Sequence, residues 1–178
     1  MKNIKTYLAG SIQLDNGKVI VGDPSYQDLE SVCVIDNVLE GTYNCYATKA
    51  DEYLWGRRVV SLEIKHIDHL DDSDYEEFDG IPVDSAKAGI YDFDFRTGKF
   101  SNESRSTWLD SLYTLLYGYD IEGNIIFDED TFTGEDRRFA VVDNKAVVSS
   151  SGIGDGCYPV DVVRDGNKVV CIKITYLE

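Results

Sequence analysis

Apolar and polar residues alternate along most of this chain with a period of two, the spacing of a half-buried strand rather than of a helix. In residues 57–67, RRVVSLEIKHI, Val60, Leu62, Ile64 and His66 fall on one face, predicted to point inward, while Val59 shares the other with Ser61. Val170, Ile172 and Ile174 alternate likewise with Cys171, Lys173 and Thr175. VCVIDNV and GTYNCYATKA are rich in the β-branched and aromatic side chains that suit a pleated surface. Turn residues punctuate these runs. Asp15-Asn16-Gly17 separates TYLAGSIQL from KVIVGD, Thr97-Gly98 follows YDFDF, Asp143-Asn144 separates RRFAVV from KAVVSSS, and Asp165-Gly166 separates YPVDVVR from NKVVCIKITYL. Gly, Asn and Asp tolerate the positive φ of tight turns, so four hairpins and a mostly antiparallel protein are predicted.

One segment has a clear helical period. In residues 104–119, SRSTWLDSLYTLLYGY, Trp108, Leu112, Leu115, Leu116 and Tyr119 share a face, Ser104 or Ser106 suits the N-cap, and Gly118 suits the end. Asp28-Leu29-Glu30 is expected to add a helical turn. Together these elements predict a mainly β (β-rich α+β) fold, an antiparallel two-layer sandwich or open barrel with one amphipathic helix near 104–119. No repeat, linker or domain boundary interrupts the pattern, so residues 1–178 are expected to form a single compact domain.

Charge narrows the partners. Seventeen basic and thirty-three acidic side chains leave a formal charge of −16, a field that repels phosphates and disfavours direct nucleic-acid binding. The same field suits imitation of a polyanion. Seven of the twelve residues from Asp68 to Asp79 are acidic and none is basic, so residues 68–80 are expected to form an exposed loop or short frayed helix. Their spacing does not follow a calcium-binding loop. His66 and His69 stand at a strand end, where H-x-x-H spacing predicts rings on opposite sides, and no zinc signature surrounds them. No metal site is predicted.

Catalytic signatures are also missing. Ser149, Ser150 and Ser151 have no G-x-S-x-G elbow and no identifiable base. Gly152-Ile153-Gly154-Asp155-Gly156 feeds a strand rather than a helix and lacks the phosphate-reaching Lys, so neither a P-loop nor a dinucleotide fingerprint is present and no cofactor is predicted. Cys33, Cys45, Cys157 and Cys171 form no C-x-x-C pair and read as reduced, mostly buried thiols. No apolar run approaches the roughly 20 residues of a membrane span, and no signal peptide opens the chain, so a cytoplasmic protein with no membrane contact is expected.

Three motifs stand out: VGDPSY at 21–26, PVDSAKAGIYD at 82–92 and SSSGIGDGCYPVDV at 149–162. In this order, with GTY at 41–43, they resemble a family of small bacterial and phage proteins, the domain of unknown function 4241. The likeness spans most of the chain. It implies one compact β-rich domain, places the protein in host cytoplasm if a phage encodes it, and transfers no catalytic residue. Where that family commonly has Cys after D-P, this chain has Ser25.

Each motif is a strand-to-turn junction, and a sandwich can gather such junctions at one rim. There Asp23, Tyr26, Asp84, Ser85, Asp92, Asp155 and Tyr158 would line a ligand pocket; otherwise each aspartate caps its own turn. Arg57, Arg58, Arg137 and Arg138 are the candidate contacts for an anion. The first functional expectation is a non-catalytic acidic binding protein, encoded by a phage or mobile element, that inhibits host defence by binding a host protein or sequestering a small signalling molecule. The alternatives are a carboxylate- or metal-assisted hydrolase using Asp84, Asp92 and Asp155, and an immunity-type or housekeeping module whose acidic face meets a basic partner.

Overall fold

The computed structural model describes residues 3–70, 74–102, 105–117, 122 and 138–178. They form β1 (Ile4–Leu14), β2 (Lys18–Gly22), β3 (Cys33–Asp36), β4 (Gly41–Glu52), β5 (Gly56–His66), β6 (Glu76–Val83), β7 (Lys87–Asp92), α1 (Phe93–Asn102), α2 (Arg105–Tyr117), β8 (Phe139–Val142), β9 (Ala146–Ser150), β10 (Gly156–Asp165) and β11 (Lys168–Thr175). Among the described residues, the strands make a six-stranded sheet, β1-β4-β5-β11-β10-β6, and a five-stranded sheet, β3-β2-β7-β9-β8. Their pairings are antiparallel, and each sheet keeps two end strands, so the fold is a sandwich rather than a closed barrel.

The inner faces of both sheets share one core, in which Ile12, Tyr43, Leu62, Ile64, Ile90, Val147 and Ile172 are fully buried. A second cluster lies on the other face of the five-stranded sheet, where Ile20, Tyr91 and Val148 pack against Trp108, Leu112 and Leu116 of α2. The middle strands β2, β7 and β9 are therefore buried on both sides. That is why KVIVG and AVVSS read as nearly continuous apolar runs.

The helical layer is larger than the periodicity predicts. Phe93–Asn102, expected to hold a strand end and a turn at Thr97-Gly98, is a helix. Asp92 Oδ1 caps it by accepting from the Phe95 amide at 3.1 Å, and the Thr97 hydroxyl donates back to the Phe93 carbonyl at 3.0 Å. In α2 the buried face is Trp108, Leu112 and Leu116, whereas Leu115 is exposed; Ser104, Gly118 and Tyr119 lie outside the described residues. Asp28-Leu29-Glu30 is a bend and turn, not a helix, with Asp28 accepting from the Ser31 amide at 2.8 Å.

Two turn predictions hold as hairpins: Asp143-Asn144, both at positive φ, joins β8 to β9, and Asp165-Gly166 joins β10 to β11. Asp15-Asn16-Gly17 instead carries the chain between layers, since β1 pairs with β4 while β2 pairs with β3 and β7. An unanticipated hairpin turn, Tyr53 to Gly56, closes β4 on β5.

Bulges also reset the strand phase. Between β4 and β5 the register passes from Thr48↔Ser61 to Lys49↔Val59, skipping Val60, so Val59 is buried and Val60 half-buried, the reverse of strict alternation. A second bulge skips Val170, which puts Val169 in the core with Ile172 and Ile174 while Val170 packs with Val163 and Cys171. The acidic stretch is partly strand: Glu76–Gly80 opens β6, exposed at the sheet edge. His66 and His69 lie together, ring centroids 5.6 Å apart, because a turn after β5 joins the His69 amide to the His66 carbonyl at 2.9 Å. No group of three or more metal-binding side chains occurs among the described residues. All four cysteines are free and three are buried, Cys157 being exposed; burial pushes the Cys45 thiol up to about 12 and the Cys171 thiol up to about 11.

One close approach in β7 is testable. A Cβ on Gly89 would sit 2.5 Å from Tyr91 Oη and 2.8 Å from the Val147 carbonyl oxygen, whereas one on Gly98 in α1 meets nothing within 4 Å. Gly89→Ala is expected to cost about 2–3 kcal/mol and Gly98→Ala to gain up to about 1 kcal/mol. Urea midpoints of the two variants, moving in opposite directions, check this.

Candidate functional site

Strand registers bring the three motif loops to the same end of the sandwich. There β2 ends beside the start of β7, β7 starts beside the end of β9, and β10 starts beside the end of β6. Asp23 ties these loops together and is fully buried. Its Oδ1 accepts from the Ser25 amide and the Ser85 hydroxyl, and its Oδ2 from the amides of Asp84 and Ser85, all at 2.7 Å. The third loop joins through Asp155, whose Oδ1 accepts from the Ala86 amide at 2.9 Å. Ala86 has φ 55°, a left-handed conformation costly for a residue with a Cβ, and its carbonyl accepts from the Ser151 amide at 3.1 Å. The Tyr158 hydroxyl donates to the Gly154 carbonyl at 2.6 Å, and the Tyr26 hydroxyl donates to Asp84 Oδ2 at 2.6 Å.

Asp23, Tyr26, Asp84, Ser85, Asp155 and Tyr158 are thus brought together. Asp92 is not: it ends β7, whose start faces the loops, and its carboxylate serves α1, with Oδ2 buried and without a hydrogen-bond partner among the described residues. Arg57 and Arg58 begin β5, where Arg57 lies over the Tyr7 ring at 5.8 Å. The Arg138 backbone links α2 to β9, its amide donating to the Leu116 carbonyl at 3.0 Å and its carbonyl accepting from the Ser150 amide at 2.8 Å. Arg137 lies outside the described residues.

Electrostatics define what this knot can do. Burial raises the Asp23 pKa, but the hydrogen bonds from Ser25 and Ser85 outweigh it and hold the carboxyl below its ordinary value. Asp23 is therefore an anion whose oxygens are already committed, a clamp rather than a free base. The hydrogen bond that Tyr26 donates to Asp84 pushes the Tyr26 hydroxyl up to about 12. The Lys87 amine donates to the Ser85 carbonyl at 2.9 Å; burial lowers its pKa, while Asp23 and Asp155 act in the opposite sense.

On its other side the D-P loop is gripped by the helices. One guanidinium nitrogen of Arg96 donates to the carbonyls of Tyr26 at 2.7 Å and Pro24 at 3.1 Å, and Trp108 Nε1 donates to the Pro24 carbonyl at 3.2 Å. Arg96 is only 2% exposed; burial lowers its pKa to about 10, so it stays cationic at neutral pH. Beside it opens a pocket of about 210 Å³ lined by Ile20, Tyr26, Gln27, Asp28, Leu29, Val32, Arg96 and Thr97. Of the residues expected to line a pocket, Tyr26 lines this one. The sequence does not single out Arg96, because FDFRTG reads as a strand running into a turn and only the helix turns its side chain beneath the loop. No family model, curated protein or solved structure matches this chain.

Proposed function

We propose that this protein acts by binding, as a phage- or mobile-element-encoded inhibitor of host defence that sequesters a small signalling molecule. The observation that carries this reading is the pocket walled by Tyr26 and Arg96, held on one side by a loop that Asp23 and Arg96 both clamp. Ile20, Leu29 and Val32 give it an apolar wall, while Gln27 and Thr97 add polar groups. At about 210 Å³ it falls below the roughly 300–1,000 Å³ of pockets for drug-sized ligands, which favours a compact single-ring molecule over a whole dinucleotide. The resemblance of the three motifs to a phage-associated family supports the setting. The hydrolase alternative is weakened, because Asp155 bonds the Ala86 amide and Asp92 caps α1.

Native mass spectrometry of the protein taken directly from its host tests this. A bound mass, lost on denaturation and absent from Tyr26→Ala, is the expected result. A bare chain in wild type sinks the small-molecule reading. A second reading, a basic host protein as target, is favoured by the charge of −16 and by the exposed acidic residues Glu76, Glu77 and Asp79 on β6. It predicts a complex that dissolves as salt rises and is indifferent to Tyr26→Ala.

A further inference from the structure

We propose that two copies of this chain pair through β1, antiparallel and centred on Thr6, joining their six-stranded sheets into one continuous sheet. β1 is an end strand of its sheet, hydrogen-bonded on one side to β4. The open side of an end strand presents backbone N–H and C=O groups in position to template another strand. Ile4 and Leu8 are each 63% exposed on this strand, and Lys5 is the one charged residue between them. Folded chains usually blunt such an edge with charge or a distortion.

Here the distortion comes late. The register with β4 slips between Leu8 and Gly10, and beyond it the strand meets the other sheet: the Gln13 amide donates to the Asn144 carbonyl at 2.9 Å, and a Cβ on Gly10 would lie 3.0 Å from Val141. Among the described residues, the stretch left open on this edge is Ile4–Leu8. That five-residue stretch complements itself. A two-fold axis at Thr6 sets Ile4 opposite Leu8 of the second copy, Lys5 opposite Tyr7, and Thr6 opposite Thr6. Lys5 already sits over the ring of its own Tyr7, 4.7 Å from the centroid, so the cross-copy contact repeats a pairing that the strand makes internally. Directly opposed residues of an antiparallel pair point to the same side, so sliding the register by one would set outward Ile4 against inward Tyr7.

Charge selects the same place. Two chains of −16 repel, and contact is least costly where neither brings carboxylates. β1 contains no acidic residue in its eleven positions, and β4 beside it has none from Gly41 to Ala50. The pairing is isologous, so it closes at two copies instead of growing into a fibre.

Sedimentation velocity across a concentration series tests the proposal. Wild type is expected to reach a dimer, more readily as salt screens the net charge, and Ile4→Glu/Leu8→Glu to weaken association at least tenfold with an unchanged thermal melt. Register is read by oxidation in a Cys157→Ser background. Opposed residues lie roughly 4.5–5.5 Å apart at Cα, within disulfide reach. Thr6→Cys should then cross-link to itself, whereas Ile4→Cys and Leu8→Cys should cross-link to each other when mixed and not alone. A wild type that stays monomeric at every concentration and salt overturns the proposal. So does a dimer that survives the double glutamate variant, or Leu8→Cys linking to itself, which would indicate packing face to face.

Discussion

Asp23→Ala is expected to lose about 3–5 kcal/mol of stability, read as a large fall in the urea midpoint. Three backbone amides and the Ser85 hydroxyl would lose their acceptor in a site that is fully buried. Each buried donor left unmade costs roughly 1–3 kcal/mol, and water entering the gap keeps the total below the simple sum. Asp23→Asn should fall in between, because one oxygen of the pair becomes an amide that faces donors. Asp84→Asn is the contrast: that side chain is exposed and keeps an amide oxygen that can accept from Tyr26, so stability should move by less than about 1 kcal/mol. Equal effects at Asp23 and Asp84 would show that the knot does not hold the loops.

The same carboxylate sets a pH signature. The folded pKa of Asp23 lies below its ordinary value of 3.8, so its stabilisation is complete above that value and is lost as pH falls through the lower folded value. The stability gap between wild type and Asp23→Asn should therefore be wide at neutrality and close only as pH falls below the ordinary value of 3.8. A gap constant across that range would mean that Asp23 carries no charge-dependent load.

Trp108→Ala is expected to cost about 3–5 kcal/mol, the range for emptying a buried large aromatic site. Trp108 is 2% exposed, packs on Tyr91 and Phe95, and donates to the Pro24 carbonyl. Trp108→Phe keeps most of the packing and removes that hydrogen bond, so it should cost about 1–2 kcal/mol. Because Pro24 sits one residue from Asp23, loosening α2 should also slacken the wall of the Tyr26 pocket. Amide hydrogen exchange at Tyr26 and Gln27 in Trp108→Phe is expected to rise while that of β11 stays unchanged. Uniform exchange across both would separate α2 from the loop.

Local chemistry made much of this legible. Period-two alternation in β4, β5 and β11 needs only a pleated backbone with one face buried, and Asp-Gly at 165–166 needs only a turn that accepts positive φ. The aspartates of the three motifs were recognisable as turn-formers for the same reason. Val59 and Val169 were not, because a bulge moves a residue between faces without leaving a mark in composition. Asp92 looked equivalent to Asp84 along the chain, yet they stand at opposite ends of β7. The α1 segment lacks a regular apolar stripe: Phe93 and Phe95 at its start pack on the second cluster, Asp92 caps it, and Arg96 reaches the D-P loop.

By itself the sequence determined the mainly β, antiparallel class, most strand positions, the helix around Trp108 and the negative field, all of which depend on neighbours within a few residues or on summed charge. The two open sheets decided for a sandwich over an open barrel. Only the tertiary structure decided that Asp15-Asn16-Gly17 crosses between layers, that Asp23 clamps a loop some sixty residues away, and that a pocket opens between Tyr26 and Arg96. Such contacts are selected by packing between distant segments, where the burial of Arg96 and Trp108 against the D-P loop outweighs any local preference. A period along the chain cannot encode that choice.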